Sequence, residues 1–240
     1  MLTDDRLDRF TDARPRYGDA DVVARFMRGV YGWMCGGLLM TAATAWLVSN
    51  SPALMAAIFG NRAVFWILAL AQLGLVWTLS ARVDRMAPGT AAGLFAAYSA
   101  LTGVTLSAIL LVFTGESVFT TFVVTAGTFG ALAMYGTVTR RSLSGLRQFL
   151  FMGLVGLVLA SIVGLFWHND GLQFVISFVG VIVFAGLTVY DAQRLKQLAF
   201  ATNAGPTSGT TIVGALALYL DFINLFLFLL RFLGNRRDDW

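Results

Sequence analysis

Seven long apolar segments, separated by short polar connections, constrain the fold of this chain more than any other feature of its sequence. Each is close to the length of about 20 apolar residues that a helix needs to cross a bilayer core of about 30 Å. No connection between them is long enough to form a soluble domain. The sequence therefore predicts an all-α membrane protein with seven transmembrane helices, near residues 29–49, 62–81, 88–112, 117–138, 147–167, 172–193 and 211–233.

The composition supports a membrane protein whose principal partner is the lipid bilayer. Hydrophobic residues make up 58% of the chain and charged residues 12%, and the mean hydropathy is +0.75. Soluble domains carry about 25% charged residues. The net charge of +4 comes from arginines at the segment ends rather than from a basic patch with aromatic side chains. We therefore expect no nucleic-acid partner.

The polar ends of the chain suggest three regions. Residues 1–28 mix both charge signs, contain Pro15 and Gly18, and lack the pattern of a cleaved signal peptide. We expect residues 1–28 to form a flexible cytoplasmic tail, residues 29–234 to form the seven-helix domain, and residues 235–240 to form a short second tail.

The distribution of basic residues predicts the orientation. With seven crossings, thirteen arginines and lysines fall on the side of the N-terminus and four on the other. The excess marks the cytoplasmic side. The basic C-terminus, RFLGNRRDDW, would then lie outside. Either the early loops outweigh it or the seventh segment does not cross fully, and we favour a full crossing.

Small residues at four-residue spacing predict close helix packing. Gly32 and Gly36 form one such pair, and Gly89 and Gly93 form another. Ser99, Gly103 and Ser107 continue the pattern along the third span. Such steps let helix backbones approach closely within lipid.

Asp221 is the residue of the seventh span that costs the most free energy to place in a membrane, because it lies in the middle of ALYLDFINLFLFLLRFLG. An ionised carboxylate at mid-span costs about 2.5–3.5 kcal/mol on insertion scales, so it needs a partner or a proton. Asn224 shares its face of the helix. The small and polar stripe on an otherwise apolar helix suits the interior of a bundle.

Asp191 is the expected partner. The connection between the sixth and seventh spans is centred near residue 206, so Asp191 lies 15 residues before that point and Asp221 lies 15 residues after it. If the sixth helix continues to about residue 200, two antiparallel helices carry the carboxylates at similar depth. Such a pair would share a proton and, when ionised, could bind Ca²⁺. The alternative is that both acids only hydrogen-bond to neighbouring helices.

Arg82 is a third candidate, because it ends the second span on the side of the connection between spans six and seven. Its side chain could reach toward the acid pair. An equally good interpretation is an arginine that extends to the membrane surface and fixes the topology.

Catalytic chemistry is not indicated. The only histidine, His168, follows the fifth span, and no zinc-protease, phosphate-binding or dinucleotide motif occurs. The only cysteine, Cys35, lies in an apolar run and fits a packing role. We expect a protein that is not an enzyme and binds no cofactor tightly.

Several segments together resemble the Bax inhibitor-1 family (transmembrane Bax inhibitor motif), and its bacterial inner-membrane members most. The likeness extends over about residues 25–237 and is carried by YSALTGVTLS at 98–107, FGALAMYG…RSLSG at 129–145, GLTVYDAQRLK at 186–196 and LYLDFINLF…LLRFLG at 218–234.

The resemblance implies a seven-helix fold in which the other six helices surround the last. It also implies a pH-sensitive calcium leak channel gated by two aspartates that share a proton, here Asp191 and Asp221. The basic residue that interacts with the pair matches Arg82, with Arg85 as the alternative. Some members carry a carboxylate in the second span, where this chain has only Gln72.

The resemblance also leaves a second function open. Bacterial members are linked to a membrane protease, which makes this chain a candidate regulator that binds another membrane protein without transporting ions. Its N-terminal tail would then be the contact. The sequence does not indicate the oligomeric state or the permeant ion.

Overall fold

The computed structural model describes residues 17–139, 141–167, 169–201, 207–235 and 237. Over these residues the chain forms nine α-helices and one 3₁₀ turn, Val83–Arg85. The α-helices are α1 Tyr17–Ser49, α2 Pro52–Phe59, α3 Arg62–Arg82, α4 Pro88–Leu106, α5 Ile109–Val112, α6 Gly115–Val138, α7 Ser144–Phe166, α8 Asp170–Ala201 and α9 Ser208–Leu233.

Seven segments are long and apolar enough to cross a membrane, which confirms the predicted fold class. They are Asp21–Ser49, Arg62–Arg82, Pro88–Val112, Gly115–Val138, Ser144–Gly164, Asp170–Phe200 and Ser208–Leu233. The short helix α2 was not predicted; Ser51 caps it by accepting a hydrogen bond from the Leu54 amide, and Pro52 occupies its first turn.

Two helices are longer than their apolar segments suggest. Residues 17–28 of the expected N-terminal tail form the first turns of α1, and Phe26 and Met27 there are buried in the core. Residues 1–16 of that tail lie outside the described residues. Helix α8 runs on to Ala201 because Leu195 and Ala199 continue its buried face beyond residue 193.

Helix α9 lies at the centre of the bundle, as expected. It packs directly against α1, α4, α6 and α8, whereas α3 packs chiefly on α4, and α7 packs on α8. Many of its side chains are almost fully buried, including Ile212, Leu216, Leu218, Tyr219, Leu225 and Leu230. A helix with apolar side chains on nearly every face is stable only when other helices cover it or lipid does.

Helix α9 also extends from one end of the bundle to the other. At its start, a Cβ atom placed on Gly209 would lie 3.1 Å from a methyl carbon of Val83, so we call this the Arg82 end. At its finish, the amide of Thr114 donates to Asn235 O at 3.3 Å, and the amide of Arg237 donates to Val112 O at 3.0 Å. Of the two interpretations of the seventh segment, the structure supports the full crossing.

The glycines that make close helix contacts differ from most of those expected. A Cβ atom placed on Gly32, Gly36, Gly89 or Gly93 would meet nothing within 4 Å. One on Gly37 would meet the ring of Phe95 at 2.7 Å, and one on Gly103 would collide with the backbone of α1. The spacing identifies a face of small residues, but only the packing decides whether another helix lies on that face.

Candidate functional site

Asp191 and Asp221 meet between α8 and α9. The two helices pack against each other over much of their length, and α8 extends far enough past Asp191 to satisfy the condition set by the sequence. At about 1.5 Å per residue, Asp191 lies roughly 15 Å from the end of α8, and Asp221 lies roughly 20 Å from the start of α9. The two side chains are neighbours, close enough to form a hydrogen bond when one of them carries a proton.

The two carboxyl groups differ in their surroundings. Asp221 is 4% exposed, and its Oδ2 has no hydrogen-bond partner among the described residues. The Asp191 side chain is 17% exposed, and its Oδ1 lies 4.0 Å from Nη1 of Arg194. The Arg194 side chain is 66% exposed, so this ion pair connects the buried acids with the surface of the protein.

This geometry favours a shared proton. Two ionised carboxylates in contact would repel each other, and the buried oxygen of Asp221 would have no donor. A single proton supplies an O–H group that one acid donates to the other, and it leaves one negative charge beside Arg194. The protonation of such a pair belongs to both groups together.

The structure does not bring Arg82 to the acid pair. Arg82 is exposed at the end of α3, and the next residue, Val83, contacts α9 at Gly209. Asp221 lies twelve residues further along α9, which is about 18 Å. Among the described residues, Arg194 is the cation that forms an ion pair with either acid. Arg85 is exposed at the same end as Arg82, and the gating role of either arginine stays a prediction.

Gln193 and Lys196, which no sequence motif marks as site residues, anchor the region after Asp191. Gln193 Nε2 donates to Arg141 O at 2.8 Å, and its Oε1 accepts from the Leu143 amide at 3.1 Å. Lys196 Nζ donates to Thr137 O at 2.5 Å, one of the last carbonyl groups of α6. These bonds fix α8 to the end of α6. In the sequence, only the positions of Gln193 and Lys196 shortly after Asp191 could have indicated this anchoring role.

A second polar cluster, formed by Thr41, Ser99 and Tyr219, lies on the opposite face of α9. The hydroxyl groups of Thr41 and Tyr219 are 2.6 Å apart, and the Thr41 hydroxyl is 2.8 Å from Ser99 O. Tyr219 is fully buried. Because residues two apart on a helix point in nearly opposite directions, Asp221 faces α8, while Tyr219 faces α1 and α4.

The remaining sequence candidates are placed as follows. Asn224 donates to Leu220 O of its own helix at 2.8 Å. Gln72 donates to the hydroxyl groups of Thr102 and Thr105, each at 3.3 Å. His168 lies outside the described residues. Among the residues that the structure describes, no three His, Cys, Asp or Glu side chains form a group able to hold a metal ion.

Comparison with known proteins gives one family over nearly the whole chain. The family described as "Inhibitor of apoptosis-promoting Bax1" matches residues 23–238. The inner membrane protein YbhL of Escherichia coli strain K12 is 48% identical over 238 residues, covering 96% of this chain and 100% of the relative.

Relatives occur in distant bacteria as well. A protein of Borreliella burgdorferi is 43% identical over 90% of this chain and 94% of its own length. A protein of Deinococcus radiodurans is 44% identical over 91% of this chain and 93% of its own length. The match includes both helices that carry the acid pair.

Proposed function

This chain belongs to the Bax inhibitor-1 family, and on that premise we propose that it forms a pH-sensitive leak pathway for cations, with Ca²⁺ as the permeant ion, gated by the proton that Asp191 and Asp221 share. The observation that carries the proposal is the buried carboxyl group of Asp221, whose Oδ2 has no hydrogen-bond partner among the described residues and whose neighbour is a second carboxyl group on another helix. Buried acids inside membrane helices mark ion and proton pathways more often than they serve packing alone.

The location proposed is the inner membrane, with the N-terminus in the cytoplasm. The relative from Escherichia coli is named an inner membrane protein. The excess of arginine on the side of the N-terminus supports the orientation. On this assignment the Arg82 end faces the cytoplasm, and the exposed Arg194 lies toward the same side.

The gate works through the number of protons on the pair. With one proton, the acids hold α8 and α9 together, and the remaining negative charge attracts Arg194. When the pH falls, a second proton removes that charge, and the ion pair with Arg194 is lost. The balance between two packings of α9 then shifts toward the one that opens a cation route.

The pair suits a passing cation better than a resident one. Ca²⁺ takes 6–8 oxygen ligands, and two carboxylates provide at most four. The described residues hold no third carboxylate beside them. Water must supply the other ligands, so we propose Ca²⁺ as a transported ion and not as a bound cofactor.

Calcium uptake by proteoliposomes, measured from pH 5 to pH 8, tests the proposal. We expect the wild-type flux to rise as the pH falls, and the double variant Asp191→Asn/Asp221→Asn to lose this dependence because its amides cannot titrate. Asp170→Asn is the matched control, since Asp170 is an exposed carboxylate at the start of the same helix. A pH profile that the double variant leaves unchanged would contradict the proposal.

Two further variants distinguish the role of Arg194 from that of Arg82. Removing the charge in Arg194→Gln should move the midpoint of the flux profile to higher pH, because the ionised pair loses its attraction to a nearby cation. Arg82→Gln should shift the profile as well only if Arg82 reaches the pair in the other packing. An unshifted profile in Arg82→Gln would restrict that residue to a topological role.

A further inference from the structure

An open groove runs along the bundle between α1 and α6. It has a volume of about 510 Å³, and Phe222 of α9 forms part of its floor. The ring of Phe222 packs against Phe122 and Phe129 of α6, with centroids 5.5 and 5.4 Å apart. Other lining residues include Cys35, Leu38, Ala126, Gly130 and Met134.

The position of the groove identifies its surroundings as lipid. Both walls belong to segments long and apolar enough to span a membrane. Met134 is 66% exposed, Phe122 is 40% exposed, and Cys35 is exposed as well, so the mouth opens toward the outside of the bundle. The core of a bilayer consists of hydrocarbon chains, and these chains match the apolar surface of the groove.

The shape of the groove suits a chain rather than a compact molecule. Along α6 its lining extends from Phe122 to Thr137, which is about 22 Å at 1.5 Å per residue. Its volume falls within the range of about 300–1,000 Å³ that is typical of small-molecule sites. A single acyl chain spans half of a bilayer core of about 30 Å, which is about 15 Å, so one chain fits within the length of the groove.

One end of the groove carries polar and basic groups. Tyr31 and Thr137 line it at the Arg82 end, and Thr137 O accepts a hydrogen bond from Lys196 Nζ. Arg28, one turn before Tyr31, is exposed. Basic groups between transmembrane helices near the membrane surface attract phosphate headgroups.

We propose that the groove binds one acyl chain of a membrane phospholipid, with the tail against Phe222 and the phosphate at the Arg82 end. The chain fills apolar space that no helix of this protein covers, and the headgroup meets Lys196 and Arg28. Because Phe222 follows Asp221 directly, the bound lipid contacts the helix that carries the acid pair. Binding itself requires no ion conduction.

Two open glycines, one on α6 and one on α7, provide a matched pair of variants. A Cβ atom placed on Gly130 meets nothing within 4 Å, so Gly130→Phe adds its ring to the groove without displacing the backbone. Gly156 is equally open and exposed but lies on α7, which does not line the groove, so Gly156→Phe is the control. Native mass spectrometry of full-length protein, released from phosphatidylglycerol bilayers into mild detergent, counts the lipids that remain bound.

The wild type and Gly156→Phe should each retain one phosphatidylglycerol molecule, and Gly130→Phe should lose retention by about tenfold or more. Equal retention in all three proteins would overturn the proposal. A lipid-free dimer of the wild type would overturn it too, because a second copy of the chain would then cover the groove.

A second measurement uses the wild-type protein and its single cysteine. Phosphatidylglycerol should slow the alkylation of Cys35 by a maleimide in detergent, since Cys35 lines the groove. The same lipid should leave the rate unchanged in Cys35→Ser/Gly156→Cys, where the thiol lies on α7, which does not line the groove. If the lipid has no effect on Cys35, the proposal fails even where Gly130→Phe does not fold.

Discussion

Helices α3 and α9 have similar apolar character and opposite places in the bundle. Their most apolar stretches have mean hydropathies of 1.8 and 2.2, yet 6% of the residues in the first stretch are buried compared with 61% in the second. Helix α3 packs chiefly on α4, whereas α9 packs on four long helices. Hydropathy therefore identifies which segments span the membrane, but it does not identify which one lies at the centre.

The polar residues inside α3 and α9 explain the difference in burial better than hydropathy does. Gln72 of α3 is half-buried and reaches two hydroxyl groups at the longer distance of 3.3 Å. Asp221 and Tyr219 of α9 are buried on opposite faces, and each has its partner on another helix. A helix with polar groups on two faces is unstable in contact with lipid, so it must be enclosed by protein.

The largest stability difference should come from adding a side chain to each helix. In α9, a Cβ atom on Gly214 would lie 2.8 Å from Leu195 and 3.2 Å from Val30, so Gly214→Leu should cost about 1–3 kcal/mol through overpacking. In α3, Gly74 has nothing within 4 Å, and Gly74→Leu should cost nothing. Thermal unfolding in detergent compares the two variants, and equal midpoints would mean that α9 is not the enclosed helix.

A smaller difference should follow from removing one polar group from each helix. Tyr219→Phe removes the hydroxyl that lies 2.6 Å from Thr41 in the buried cluster, which should cost about 1–2 kcal/mol. Gln72→Leu removes two longer bonds at the margin of the bundle and should cost only about 0.6 kcal/mol. The same unfolding assay measures both. A greater loss in Gln72→Leu would show that α3 is held more firmly than its exposure indicates.

The smallest effect should come from deleting residues 1–16, which precede the helical bundle. Calcium flux and its pH profile should not change, because the acid pair and every contact of α9 described above remain. A regulator that binds a membrane protease through its tail would instead lose its effect on that protease. Degradation of a model substrate in cells, measured beside the flux, distinguishes the two functions.

Much of the fold was predictable because bilayer crossing imposes a length and a composition. The ends of α1 and α8 were the exceptions. Residues 17–28 look like a polar tail, but Phe26 and Met27 within them are buried by the bundle. Similarly, Leu195 and Ala199 keep α8 helical beyond the apolar run. Buried side chains spaced along a polar segment give only a weak signal in the sequence.

The candidate site, like the fold, was predictable only in part. The positions of Asp191 and Asp221 around a short connection were sufficient to place them side by side, and their role as a proton sensor stays a prediction. The sequence indicates only a topological role for Arg194, although this residue forms the ion pair with Asp191. The anchoring by Gln193 and Lys196 depends on where α6 ends, which a pattern within α8 does not contain.

The sequence by itself determined that this chain crosses the membrane seven times and that two acids on neighbouring helices lie at one depth, because bilayer thickness and helical rise set both. Only the tertiary structure decided which glycines bring helices together, which arginine faces the acids, and where α1 and α6 separate to leave a groove. These features depend on how each helix is rotated about its axis, and that rotation is set by contacts between segments far apart in the sequence.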